Sequence, residues 1–238
     1  MLTEFFATFG FGPGGWGPSM LTAAAMTLAV ALAGFGFGAL VGILGAWAKV
    51  AGGAALRTAA DAYTTMLRGI PDLLVIYLFY FGSSSVMTPI ARLFGASGFI
   101  SLPGFLAGAL AIGVVSGAYH TEVFRGAYLA VARGEIEAAL ASGMRRMLMF
   151  RRIVAPLALR YAVPGLGNVW QLVLKESALV SVTGLVEIMR QAQIGAGSTR
   201  QPFTFFFAAA VLYFVISSVS GWALGRVELR SRRGLRIA

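Results

Sequence analysis

The residues able to do chemistry are few, and most of them interrupt apolar sequence. Glu122 and Arg125 lie three apart in one such stretch, Arg68 and Asp72 flank Gly69-Ile70-Pro71 in another, and Lys175 and Glu176 are adjacent in a third. A charge in an apolar setting must find a partner or line a polar path, because isolation in low dielectric is costly. Spacing decides which pairs can form. Residues three or four apart share a helix face, so Glu122 can pair with Arg125 and Arg68 with Asp72. Adjacent residues diverge, so Lys175 and Glu176 each need a partner of their own. Arg68, Pro71, Asp72 and Arg125 read as structural. Glu122, Asn168, Gln171, Lys175 and Glu176 are the candidates for a substrate path, and for Glu122 an ion pair with Arg125 is the competing reading.

No catalytic or metal-binding set accompanies these residues. The nine acidic residues are scattered, His120 is the single histidine, and there is no cysteine. Thiol catalysis, disulfides and cysteine-ligated metals are thereby excluded. A lone histidine without a second ligand reads as a hydrogen-bonded structural residue. The chain also lacks the G-x-x-x-x-G-K-[ST] loop that cradles nucleotide phosphates. It is expected to carry no cofactor of its own, and any energy source must be a partner.

The elements that position these residues follow from composition. The chain has 238 residues, 58% hydrophobic and 12% charged, with a mean hydropathy of +0.80. Soluble domains carry about 25% charged residues, so a soluble domain or a disordered chain is excluded. A membrane-crossing helix needs about 20 apolar residues. The segments 19–44, 59–81, 102–124, 161–186 and 203–224 meet or approach that length, which predicts an all-α polytopic membrane protein with five transmembrane helices. Residues 1–18 form an N-terminal segment without the basic start of a cleaved signal. Gly34, Gly38 and Gly42 recur every four residues. That spacing reads either as a ridge permitting close helix approach or as the ordinary glycine content of membrane helices. The fourth segment holds Pro164, Asn168, Gln171, Lys175 and Glu176, so it should face protein or an aqueous path rather than lipid.

The net charge of +10 comes with no nucleic-acid-binding motif and reads instead as a topological signal. One set of connecting segments holds fourteen basic residues and the other holds Arg92, Arg190 and Arg200. The rich set comprises Lys49 and Arg57, the loop 125–160, and a tail 226–238 with Arg226, Arg230, Arg232, Arg233 and Arg236. Because basic loops stay in the cytoplasm, the N-terminus is expected outside and the C-terminus inside. Within the basic loop, Ile136, Leu140, Gly143, Met147 and Phe150 recur at intervals of four and three, which predicts one amphipathic helix. Glu135 and Glu137 sit at its start and Arg145 and Arg146 later, both of favourable sign for the helix dipole. Such a helix rests on lipid headgroups or docks in a groove of a partner protein.

The same loop carries a specific pattern. Glu137-Ala138-Ala139, Gly143, Ile153 and Pro156 resemble the EAA loop of ATP-binding-cassette importer permeases, with its spacing kept throughout. The one departure is Ala155, where the pattern usually has leucine. Arg68-Gly69-Ile70-Pro71, Gly117-Ala118-Tyr119 with Glu122 and Arg125-Gly126, Arg160-Tyr161-Ala162 with Pro164-Gly165-Leu166-Gly167-Asn168, and Lys175 with Ser177-Ala178-Leu179-Val180-Ser181 are similar to the polar amino acid branch. The likeness covers roughly residues 20–230. It is nearest to permeases for histidine, lysine, arginine and ornithine and for octopine and nopaline, in their Q-type chain.

The resemblance implies a five-helix permease of the bacterial inner membrane, with a coupling helix around Glu137–Gly143 docked on a cytoplasmic ATPase dimer that binds ATP and Mg. It implies a second homologous permease subunit, a heterodimer being favoured over a homodimer, a periplasmic solute-binding protein, and an amino acid or opine as substrate. Of Lys175 and Glu176, which each need a partner, one would meet the α-carboxylate of an amino acid and the other a cationic group; family members often have serine or aspartate where Glu176 stands. A permease for glutamine, glutamate or cystine is the near alternative. A solute channel or an intramembrane enzyme are the distant ones, and neither needs an ATPase-docking loop.

Overall fold

A computed structural model describes residues 8–93 and 102–232. Residues 1–7 of the N-terminal segment and Arg233 and Arg236 of the tail lie outside the described residues. Among the described residues the chain is helical, with no strand. Helix α1 spans Gly17–Ala51, α2 Ala54–Gly69, α3 Asp72–Leu93 and α4 Gly104–Leu129. The basic loop holds α5, Arg133–Ala141, and α6, Arg146–Met149, followed by a π turn over Phe150–Val154 that runs into α7, Ala155–Glu176. A 3-10 stretch Ser177–Thr183 leads to α8, Ile188–Thr199, and α9, Pro202–Arg232.

Three described helices are long and apolar enough to cross a membrane alone: Gly17–Ala51, Gly104–Leu129 and Pro202–Ser231. Helices α2 and α3 satisfy the same requirement together but bend by 104° at their junction. The segment 59–81 is therefore not one kinked helix. Ile70 is extended, at φ −93° and ψ 137°, as the residue before a proline tends to be. Asp72 then opens a new helix, with its carboxylate in the first turn where the dipole favours it. The polar α7 is 22 residues long and falls short of the apolar requirement.

The centre of the fold is the seam between α1 and α4. Gly34, Gly38 and Gly42 all face α4, and a Cβ on them would strike Ile112, Ser116 and His120 respectively. The four-residue glycine spacing is thus a contact ridge, since only the missing side chains let the backbones approach this closely. Around the seam, Ile76 of α3, Ile112 of α4, and Trp170, Val173 and Leu174 of α7 are buried in one apolar cluster. A second cluster joins Met20 of α1, Ile188 and Ala192 of α8, and Phe205 of α9. The outward flank of α1 stays open, with Leu40, Leu44 and Trp47 at 63%, 67% and 60% exposure. A soluble protein would cover such a flank.

Candidate functional site

Two regions bring the chemistry-bearing residues together. The first is the loop between α4 and α7. Helix α5 ends after Ala141 because Gly143 adopts a left-handed conformation, φ +75°. The Gly143 amide donates to the Leu140 carbonyl at 2.9 Å and the Met144 amide to the Ala139 carbonyl at 3.1 Å. These are the two bonds of a Schellman stop. The amphipathic helix expected over Ile136–Phe150 is therefore divided into α5 and α6, since its apolar periodicity runs on across a residue whose backbone reverses hand. Space around the absent Gly143 side chain is open, so the site demands glycine for its φ and not for room.

The motif residues divide by exposure. Glu137, Ala138 and Gly143 are exposed, whereas Ala139 is buried at 2% and holds α5 against its own chain. Pro156 shapes the return into α7. Having no N–H, it cannot continue the regular i→i−4 ladder, and the Ala155 amide donates instead to the Phe150 carbonyl five residues back. The resulting π turn contains Ile153, which is half-buried. Insertions of this type are frequent where a helix serves a functional site.

The second region lies among α1, α2, α3, α4 and α7. Glu122 does pair with Arg125, whose Nε donates to Oε2 at 2.9 Å. The pair belongs to a larger network, because Lys49 Nζ reaches Glu122 Oε1 at 2.6 Å, Asp61 Oδ1 at 2.8 Å and Thr64 Oγ1 at 2.7 Å. Lys49 is only 7% exposed, so α1, α2 and α4 are tied by one nearly buried cation. Lys49→Met should cost Glu122 one of its two cationic partners and lower the thermal midpoint of the purified protein, the loss in stability staying within the roughly 1–3 kcal/mol that a fully unsatisfied buried group costs. Adding Glu122→Gln should recover part of the loss, and an unchanged midpoint in the single variant would contradict a structural role for Lys49.

Arg68 and Asp72 do not form the expected ion pair among the described residues. The break at Pro71 puts them on different helices, so the i,i+4 geometry is lost. The Arg68 guanidinium lies 5.5 Å from the ring centre of Tyr119, a cation–π contact. Asp72 instead faces Glu176 across the bundle. Glu176 is 5% exposed, and neither of its carboxylate oxygens has a hydrogen-bond partner. Glu176 is thus a buried carboxyl group with no donor of its own and a second carboxyl group nearby, an arrangement that calls for a proton or a cation.

The other polar residues of α7 point elsewhere. Asn168 and Lys175 are seven apart and both exposed, on one open face of the helix. Gln171 is engaged with α9: its Nε2 donates to the Ser217 carbonyl at 3.2 Å and its Oε1 accepts from Ser217 Oγ at 2.6 Å. His120 is fully buried, with Nδ1 2.8 Å from the Ser116 carbonyl and the ring edge-on to Phe35. No metal-ligand cluster occurs among the described residues.

Sequence reasoning missed two residues. Lys49 counts with the loop charges by position, although a lone lysine closing an apolar run signals a need for a partner. Glu187 is fully buried and caps α8, accepting from the Met189 and Arg190 amides at 2.9 and 2.8 Å and from Tyr213 Oη at 2.8 Å. Its signal was an isolated acid just before a short helix.

Comparison with known proteins identifies the scaffold. The octopine transport system permease protein OccQ of Rhizobium radiobacter is 63% identical over 98% of both chains. The histidine/lysine/arginine/ornithine transport system permease protein HisQ of Escherichia coli K12 is 37% identical over 94% of this chain and 98% of its own. A solved chain described as an amino acid ABC transporter with histidines superposes with a TM-score of 0.77 at 31% identity, covering 90% of this chain and 95% of that one. Residues 38–233, which include both regions described above, match the family of binding-protein-dependent transport system inner membrane components. The chain belongs to that family.

Proposed function

We propose that this chain is the permease subunit of an ATP-driven importer of basic amino acids or opines in the bacterial inner membrane. The observation that carries the substrate class is the Glu176 carboxyl group, buried and without a hydrogen-bond partner, with the Asp72 carboxyl group as its neighbour. The solutes named for the relatives, octopine, histidine, lysine, arginine and ornithine, all offer a cationic side group that this pair would accept. Asn168 and Lys175 on the open face of α7 suit the opposite end of such a solute, Lys175 as the carboxylate partner. Gln171 serves chiefly to fix α7 against α9, and Arg68, Pro71 and Arg125 serve the framework.

In this reading the chain crosses the membrane five times, α2 with α3 forming the second crossing and α7 the fourth. The N-terminus is periplasmic, and the basic loop and tail are cytoplasmic. Helix α5 docks on a cytoplasmic ATPase dimer through Glu137, Ala138 and the turn at Gly143. Ile153 and Pro156 pass its displacement into α7, the helix that bears Glu176. Nucleotide binding then biases a two-state element between outward-open and inward-open forms, which is what coupling requires. ATP and Mg stay with the ATPase, a periplasmic binding protein delivers solute, and a second homologous permease completes the pathway as a heterodimer.

Reconstitution tests this directly. The chain, its homologous permease, the ATPase and the binding protein are placed in vesicles, and labelled arginine, octopine and glutamine are offered. The expected result is uptake of a cationic solute that requires both ATP and the binding protein. Uptake of glutamine alone would move the substrate class, and solute entry without ATP would favour a channel.

A further inference from the structure

A cavity of about 980 Å³ opens between the last turns of α1 and α4 and the start of α7. Its lining includes none of Asp72, Asn168, Lys175 and Glu176, the residues of the solute path described above. Its volume stands at the upper end of the roughly 300–1,000 Å³ typical of small-molecule sites. The walls are apolar and aromatic, with Leu44 and Trp47 from α1, Phe124 and Tyr128 from α4, Phe150 from the π turn and Leu159 from α7. Arg146 is the one ionised residue of the lining. It is exposed and makes no ion pair with any described residue.

The floor is formed in part by Ala155 and Ala158. Ala155 is the position at which the sequence departs from the loop pattern by losing side-chain bulk. The departure leaves this space open beside the π turn that connects the α5 lever to α7.

We propose that this cavity binds an anionic phospholipid of the cytoplasmic leaflet, with the acyl chains between α1 and α7 and the phosphate on Arg146. Three observations converge on that occupant. No acidic residue occurs between Glu137 and Glu176, whereas Arg145, Arg146, Arg151, Arg152 and Arg160 do, so the region favours an anion. Trp47 and Tyr128 are amphipathic aromatics of the kind that gather at headgroup level. Basic pockets between membrane helices on the cytoplasmic side are a recurrent mode of anionic lipid recognition. The lipid would brace the joint through which the lever acts, so its headgroup would tune coupling without touching the solute.

The inference rests on the cytoplasmic placement of the basic loop, and the test separates the two. The assembled transporter is placed in nanodiscs of phosphatidylcholine and phosphatidylglycerol in equal amounts, and lipids retained after gentle detergent release are measured by native mass spectrometry. Wild type should retain phosphatidylglycerol preferentially. Arg146→Gln should reduce that preference about fivefold, the effect of one basic residue at a membrane surface, and Ala155→Leu should reduce retention of both lipids by filling the floor. Equal retention of the two headgroups by wild type, or a preference unchanged in Arg146→Gln, would overturn the lipid site. So would cross-linking of the Trp47→Cys variant to the second permease, which would make that subunit the occupant. Separately, Arg146→Cys in this cysteine-free chain should react with an impermeant thiol reagent only from the cytoplasmic side. Reaction from the periplasm would overturn the topology itself.

Discussion

Gly143→Arg is expected to abolish uptake while the chain still inserts and assembles with its partner permease. Two effects act at once. An arginine pays about 1–2 kcal/mol to hold the left-handed conformation at φ +75°, and it projects a long cation from the surface proposed to dock on the ATPase. Gly143→Asn separates them, because asparagine tolerates left-handed backbone far better than other side chains and adds little bulk. Uptake in vesicles should fall more than tenfold in the arginine variant and much less in the asparagine variant. Stimulation of ATP hydrolysis by the binding protein should fall in parallel. If both variants transport normally, the Schellman stop has no role in coupling. If both fail equally, the position excludes any side chain, even one that tolerates the left-handed backbone.

Glu176→Gln carries the second large effect. The substitution keeps the shape of a side chain that is 5% exposed and removes its charge. A cationic solute would lose a charge-assisted bond worth about 1.5–3 kcal/mol, so uptake of arginine or lysine should fall roughly ten- to hundredfold. Asp72→Asn should act in the same direction. The discriminating readout is the competition profile: neutral glutamine should compete relatively better in the variant than in wild type. Unchanged kinetics and an unchanged profile would remove Glu176 from the solute path and leave it a structural carboxyl group.

What could be read from the sequence, and what could not, follows from the range of the interactions. The glycine ridge at Gly34, Gly38 and Gly42 was visible because helical periodicity is local, and so was the Glu122–Arg125 pair at a spacing of three. The loop motif from Glu137 to Pro156 was legible for the same reason. The break at Gly143 was not, because the apolar face repeats at intervals of four and three straight across it, and periodicity is blind to the sign of φ. Lys49 with Glu122, and Asp72 with Glu176, are pairings across distant chain segments that only the packing of α1, α3 and α7 brings together. The i,i+4 argument for Arg68 and Asp72 failed where it assumed one helix, and Pro71 with the extended Ile70 makes two. The polar character of the fourth segment was legible. The division of its residues between Glu176 inward, Gln171 toward α9, and Asn168 with Lys175 outward was not.

The most direct test of the account is contact between α5 and an ATPase. The chain has no native cysteine, so Glu137→Cys introduces a single exposed thiol at the proposed docking surface. In membranes containing the complete transporter, a short bifunctional thiol reagent should join this residue to the ATPase, and the yield should change when ATP is added. A folded, solute-competent transporter in which this position labels only lipid, with no ATPase adduct under any nucleotide condition, would contradict the account.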